Sequence, residues 1–540
     1  LEKLKEINAS KGESNAKAQQ YLDGLLKIPF GIYKRESIMK SLELFVDKVR
    51  GKLIGIVKYI GSSESKKYIQ NTELFSNINS SCNKLIQMDH ITSKDIETST
   101  KYVLDELDNC TKLNYSKKEL NKYKKDDLIH IINSETSIKI KGKGRKNDLI
   151  KLILNYQKNE NNYVENNKIT IYLLENFKEI ESDIKAYKNK CSLYLKHVDE
   201  KLDASVYGMK DAKLQIKRVI AQWINGTNQG YIFGFEGPPG TGKTTMAKLG
   251  ISRCIQDYEG NSRPFSFIAL GGSSNGSTLE GHNYTYVGSN WGKIVDTLIT
   301  SKCMNPIIYI DELDKISQTE HGKELIGILT HMTDLSQNDQ FTDKYFSGIP
   351  IDISKCLIIF SYNDVSKVDK ILLDRIHRIK INAMNKYEKV RVMIDYVYPQ
   401  ILKSIGFKQN DILLGEDDLI YIIDTYTCEP GIRKLKEKIF ELFREVNLQY
   451  LLGLIKGFPY TISKSFVENI FAEKPKVHYN QISKDPEIGI VNGLFATESG
   501  LGGILFIECY RTISERRLSL NLTGLQGKTM KESMEVAKTV

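Results

Sequence analysis

An α/β fold, a parallel sheet with flanking helices, is predicted for the middle of this chain by three observations. Short β-branched runs (YIFGFE, FSFIAL, NPIIYIDE and CLIIFSYN) alternate with helical segments from Tyr231 onward, the pattern of strands joined by crossover helices. A glycine-rich stretch, GPPGTGKT, follows the first run and opens a helix. Two adjacent carboxylates, Asp311 and Glu312, close the third run.

The flanks read differently. Residues 1 to 200 are helical in pattern, rich in Lys, Asn and Glu and poor in Gly and Pro. After about residue 385 a helical pattern returns and continues to about residue 473. From Ile488 the pattern shifts to two or three strands around glycine turns, in GIVNGLFATESGLGGILFIECYR and RRLSLNLTGLQG, before a final helix. A chain of 540 residues is too long for one core, and no internal repeat is evident.

Composition bounds the function classes. With 41% hydrophobic and 27% charged residues the sequence is that of a soluble globular protein, and no apolar run reaches the roughly 18 residues of a membrane span. The eight cysteines are scattered without CxxC pairs, which fits a reducing compartment, the cytoplasm by default. The net charge of +10 comes largely from Lys in the first 200 residues and is read as solvated helix faces. The chain begins at Leu1 and ends in an uncapped amphipathic helix, KESMEVAKTV, so both ends read as cut and targeting signals are expected to lie outside the sequence.

The motifs specify the chemistry. In a strand–loop–helix context, Gly237, Pro238, Pro239, Gly240, Thr241, Gly242, Lys243, Thr244 and Thr245 form a P-loop. Its backbone N–H groups cradle phosphates, Lys243 reaches the β/γ oxygens of ATP and the Thr244 hydroxyl ligates Mg²⁺. Asp311 is placed to hold Mg²⁺ and Glu312 to polarise the attacking water. Asn363, ending the strand CLIIFSYN, positions that water. Arg375 in LLDR and Arg433 in EPGIR are read as clamps on the γ-phosphate, Arg375 from a neighbouring subunit and Arg433 from a helical lid.

From about His197 to Val540 the chain resembles the Lon proteases of the AAA+ class. The segments that carry the resemblance are VYGMKDAKLQIKRVIAQ, GPPGTGKTTMAK, IALGGSSNGSTLEGHNYTYVGSNWGKI, NPIIYIDELDKIS, FTDKYFSGIPIDIS, ILLDRIHRIKI and EPGIRKLKEKI. Upstream, AQQYLDGLLKIPFG is similar to the stretch that ends the Lon N-terminal helical region. The resemblance implies a homo-oligomeric ring, a hexamer, acting on unfolded or misfolded proteins. It implies that Tyr207 lies near the adenine, and that GHNYTYVGSNWGK is a pore loop projecting Tyr286 and Val287 into a central channel. An aromatic beside a β-branched residue grips any unfolded chain through apolar contact. Tyr284 and Trp291 are expected to brace the loop instead.

The implied organisation is the end of a helical region (1–31), a lineage-specific insertion (32–196), an AAA+ ATPase domain (197–384), a helical lid (385–475) and the start of an α+β peptidase domain (476–540). Lon proteins cleave with a Ser–Lys dyad. No Ser or Lys here is assigned to it, since Ser499 and Ser533 fall in the wrong segments, and this stretch is expected to have no peptidase activity by itself. Within the insertion, residues 116 to 157 resemble a SAP-type helix–loop–helix. Its Lys139, Lys141, Lys143, Arg145 and Lys146 are candidate contacts to DNA phosphates. Two alternatives are carried: a protease-inactive AAA+ unfoldase, and a nucleic-acid-remodelling motor.

Overall fold

The computed structural model describes residues 13–62, 73–88, 91–110, 120, 122–135, 145–159, 163–225, 230–257, 259–271, 275–286, 288–317, 319–477, 487–496, 502–511, 513, 519–524 and 527–539. Five strands form one sheet: β1 (Tyr231–Glu236), β2 (Phe265–Ala269), β3 (Ile307–Asp311), then β6 (Leu357–Tyr362) and β7 (His377–Lys380). Between β3 and β6 a small antiparallel pair forms from β4 (Phe341–Thr342) and β5 (Pro350–Ile351). The sheet order is β2-β3-β6-β1-β7 and every pairing in it is parallel. Four of these strands coincide with the β-branched runs. The fifth, His377–Lys380, has only one buried residue, Ile379, and no apolar run to mark it.

Alternation along the strands builds a core on each face. On one face Ile308, Ile310, Ile358 and Phe360 pack with helices Lys293–Ser301 and Glu320–Thr333. On the other, Phe233, Phe235, Ile307, Tyr309, Leu357 and Ile359 meet helix Lys210–Asn225 and the helix that follows the P-loop. That P-loop helix runs from Lys243 to Cys254 and contains a π-helical turn, Met246–Ile251.

The helices before the sheet belong to the same compact unit, residues 1 to 382. Ser37–Ile60, Glu73–Gln87, Ser93–Cys110 and the 43-residue Tyr163–Ser205 bury a shared core. Phe45, Val49, Leu53, Ile56 and Ile60 form its stripe at helical spacing. Helix Tyr163–Ser205 runs without a break through residue 196 and ends against the P-loop helix. A Cβ on Gly250 would lie 2.9 Å from Ser205 Oγ. Helices Lys125–Glu135 and Lys146–Asn159 enclose a small core of Leu128, Ile132, Leu149, Ile150 and Ile153. Arg145 and Lys146 open the second of them, whereas Lys139, Lys141 and Lys143 lie outside the described residues.

The second unit, residues 383 to 540, is described by itself. Its core is helical, built on Glu416–Tyr426 and Arg433–Leu451, with a short parallel pair of β8 (Ile412–Leu414) and β9 (Tyr460–Ile462). An antiparallel hairpin of β10 (Ile490–Ala496) and β11 (Gly502–Glu508) and a helix, Lys528–Thr539, follow. Residues 519–524, where a third strand is expected, carry no strand.

Candidate active site

Parallel strands bring their carboxyl ends to one edge of a sheet, and the P-loop springs from that edge after β1. A Cβ at Gly237 would fall 2.1 Å from Ile381 O, so only glycine fits where the chain leaves the strand. Gly240 and Gly242 take φ of +77° and +97°, which favour glycine and turn the loop tightly enough to open the helix at Lys243. The Thr241 hydroxyl donates to Pro238 O at 2.9 Å and locks the turn. Thr245 is exposed on the first helical turn.

Lys243 is only 8% exposed. Its ammonium donates to Gly237 O, to Pro238 O at 3.1 Å and to Asn363 Oδ1 at 2.8 Å. Burial pushes its pKa down to about 8, against the attraction of Asp311 and Asp314. The Thr244 hydroxyl shares a 3.1 Å hydrogen bond with the Tyr309 hydroxyl of β3. Tyr309 is fully buried and its pKa is pushed up to about 12, first by burial. At the end of β3, Glu312 adopts φ +59°, uncommon for a residue with a side chain and a mark of functional positions. The Glu312 carboxylate lies against Gly271, where a Cβ would fall 1.7 Å from its Oε2.

The segment before helix Lys210–Asn225 joins this site. A Cβ on Gly242 would lie 3.3 Å from Met209 Cε and 3.9 Å from Val206 Cγ1, so the turn carrying Tyr207 sits beside the P-loop. Tyr207 is 37% exposed. Thus Lys243, Thr244, Asp311, Asn363 and the Tyr207 turn converge. Arg375 points elsewhere, donating to Thr330 O at 2.7 Å and lying 3.1 Å from Asp334 at the carboxyl end of helix Glu320–Thr333. Arg433 is the exposed first residue of helix Arg433–Leu451 in the second unit. The Glu429 carboxylate accepts from Lys434 N and Leu435 N at 3.0 and 2.8 Å, which caps that helix and sets where Arg433 starts.

Loop 281–292 forms a second constellation. Tyr286 is 63% exposed, and Val287 lies outside the described residues. Tyr284 and Trp291 pack inward on Tyr345, at ring distances of 5.6 and 5.9 Å, and Trp291 stacks on Phe346. The two stems of the loop meet at Gly292, where a Cβ would be 2.0 Å from Leu279 O. Asp343, fully buried, accepts from Gly292 N and from Tyr345 N, each at 2.8 Å. Burial outweighs those hydrogen bonds and raises its pKa to about 6. Lys344 closes the clasp, its N donating to Glu280 O at 2.7 Å and its ammonium lying 2.8 Å from Glu324.

Sequence reasoning missed Tyr309, Asp314, Asp343 and Glu429. Asp314 is 6% exposed and accepts from Asp364 N, which ties the Asn363 loop to the turn after β3. Each is a polar residue inside a quoted motif, at a position where burial leaves room only for a hydrogen-bonding role.

Two family models match the chain. The model of the ATPase family associated with various cellular activities (AAA) covers residues 233–384, and that of the Lon protease (S16) C-terminal proteolytic domain covers 461–540. A Lon protease homolog of Acanthamoeba polyphaga mimivirus is 32% identical over 424 residues, covering 67% of this chain and 40% of the viral protein. The Lon protease of Campylobacter concisus is 34% identical over 351 residues, 64% of this chain and 42% of the bacterial one. A mitochondrial Lon protease homolog of Drosophila melanogaster is 32% identical over 359 residues, 65% and 34% respectively. The chain spans less than half the length of these relatives. With the P-loop, the acidic strand end and the clasped aromatic loop in one unit and both family models matched in order, the chain belongs to the Lon protease family.

Proposed function

We propose that this chain is the ATP-driven unfolding and threading portion of a Lon-type serine protease, which in the whole protein delivers polypeptide to a peptidase site. The observation that carries the reading is the convergence of Lys243, Thr244, Asn363 and the strand-end carboxylates in the unit that also presents Tyr286 on a braced loop.

The residues fit a magnesium nucleotide: a loop that tolerates no Cβ at its mouth, a buried ammonium, a hydroxyl on the first helical turn beside β3, and a carboxylate at the end of that strand. Thr244 and Asp311 would hold Mg²⁺, which neutralises charge on the β and γ oxygens. Lys243 binds the terminal phosphates, Glu312 polarises the attacking water and Asn363 orients it. Arg375, at the surface end of its helix, serves the γ-phosphate of a neighbouring subunit in a hexameric ring, and Arg433 that of its own. The Tyr207 turn borders the adenine. Substrates are unfolded or misfolded proteins, gripped by Tyr286 and Val287. Free cysteines at 82, 191, 254, 303, 356, 428 and 509 support a reducing, cytoplasmic setting, and no described helix is long and apolar enough to cross a membrane.

Tyr286→Ala tests the threading role. With green fluorescent protein carrying an unstructured tail as probe, the variant is expected to lose ATP-dependent unfolding, read as retained fluorescence. Unfolding at the parent rate would remove the loop from the mechanism.

A further inference from the structure

Helix Glu13–Lys27 lies against the aromatic loop through one face. Lys17, Gln20, Tyr21 and Gly24 follow the spacing that aligns side chains along a helix, and each meets a different part of the loop. The Lys17 ammonium donates to Tyr286 O at 2.7 Å and stands 4.9 Å from the Tyr284 ring. The Gln20 amide donates to Asn290 Oδ1 at 3.0 Å. Tyr21 meets Tyr284 edge to face at 5.2 Å and lies 5.1 Å from Phe346. Gly24 is where Trp291 crosses the helix, and a Cβ there would be 2.7 Å from the indole.

The segment that follows this helix, residues 32 to 36, is tied to the residues that lead into strands β3 and β2 of the ATPase sheet. Met304 N donates to Ile32 O at 2.8 Å, and Lys34 and Asn305 exchange two hydrogen bonds of 2.8 Å. Glu36 pairs with Arg263, both side chains being no more than 3% exposed. A helix anchored at its end and touching the loop at its tip, its stem and its aromatic base has the geometry of a strut. The bond from Lys17 matters most, because it reaches the backbone of the exposed tyrosine, where the neighbouring Gly288 (φ +75°) leaves the chain free to turn.

We propose that helix Glu13–Lys27 positions the polypeptide-gripping loop, with Lys17 holding Tyr286 at its working height, so that the region preceding the ATPase domain governs how strongly unfolded chain is engaged. This rests on the threading role proposed above for Tyr286.

The experiment measures ATP turnover of the full chain against increasing carboxymethylated lactalbumin, a permanently unfolded polypeptide, for the parent, Lys17→Met, Lys17→Arg and Tyr286→Ala. Losing one hydrogen bond of ordinary strength corresponds to about fivefold. Lys17→Met is therefore expected to raise the half-maximal polypeptide concentration about fivefold with basal turnover unchanged, and Lys17→Arg, which still donates to a carbonyl, to restore it. Gly24→Ala, which displaces the indole, is expected to shift Trp291 emission and raise the same half-maximal concentration. If Tyr286→Ala loses stimulation while Lys17→Met and Gly24→Ala keep the parent half-maximal concentration, the strut is refuted and the threading role stands. If Tyr286→Ala retains full stimulation, both fall.

Discussion

Two glycine-framed loops in the same unit are built in opposite ways. The turn of the P-loop is shaped mostly by its own neighbours: Thr241 bonds to Pro238, Lys243 folds back on Gly237 and Pro238 as well as reaching Asn363, and the glycines supply the turn. Loop 281–292 takes its shape from residues far away in sequence, namely Lys17, Gln20, Tyr21 and Gly24 on one side and Asp343, Tyr345 and Phe346 on the other. The difference follows from the role proposed for each. Phosphate is bound by backbone N–H groups, so a short motif suffices. A loop proposed to push keeps its tip exposed, and its rigidity is supplied from outside.

Three further measurements break or sharpen this contrast. The largest effect is expected at the locally built site. Glu312→Gln removes the proposed general base and is expected to slow ATP turnover by about 10² to 10⁴, with nucleotide binding by isothermal titration preserved; turnover near the parent rate would unseat Glu312.

The clasp of the aromatic loop is expected to respond to pH. Asp343 holds its proton to about pH 6 in the fold against an ordinary value of 3.8. Its contribution to stability is therefore fully present below pH 4 and lost as pH rises through 6. Glu280, also raised by burial, and the facing Lys344 are common to parent and variant. Asp343→Asn does not ionise, so its stability relative to the parent is expected to rise by up to about 3 kcal/mol between pH 4 and 7. Urea midpoints read by tryptophan fluorescence measure this, since both tryptophans lie in the first unit. Parallel pH profiles would show that burial does not govern Asp343.

The smallest effect is expected at Tyr309→Phe, which deletes only the hydroxyl facing Thr244. A single neutral hydrogen bond is worth about 1 kcal/mol, so magnesium-dependent ADP affinity is expected to weaken about fivefold with magnesium-free affinity unchanged. An equal loss in both would assign Tyr309 to packing.

The legibility of the chain tracks the range of the forces involved. β1, β3 and β6 were readable because their apolar runs are buried on both faces, and the edge strand β2 because it carries a similar run although only Ile268 in it is buried, whereas His377–Lys380 is a strand only because β1 lies beside it. The helical pattern before residue 200 was readable as helix, but not that Tyr163–Ser205 continues unbroken to the P-loop helix, since nothing in its spacing names the surface it meets. Tyr284 and Trp291 could be read as braces from their setting between glycines, but their partners could not, because aromatic packing carries no sequence distance.

What the sequence by itself determined is the chemistry: a phosphate loop, an acidic strand end, an asparagine on the next strand and an aromatic tip, each specified by a few contiguous residues whose backbone geometry is local. What only the tertiary structure decided is the mechanics: which carboxylate clasps the aromatic loop, which tyrosine orients Thr244, and that a helix some 270 residues earlier touches Tyr286. Those contacts arise from side chains brought together by burial of the sheet faces, and burial depends on the whole chain.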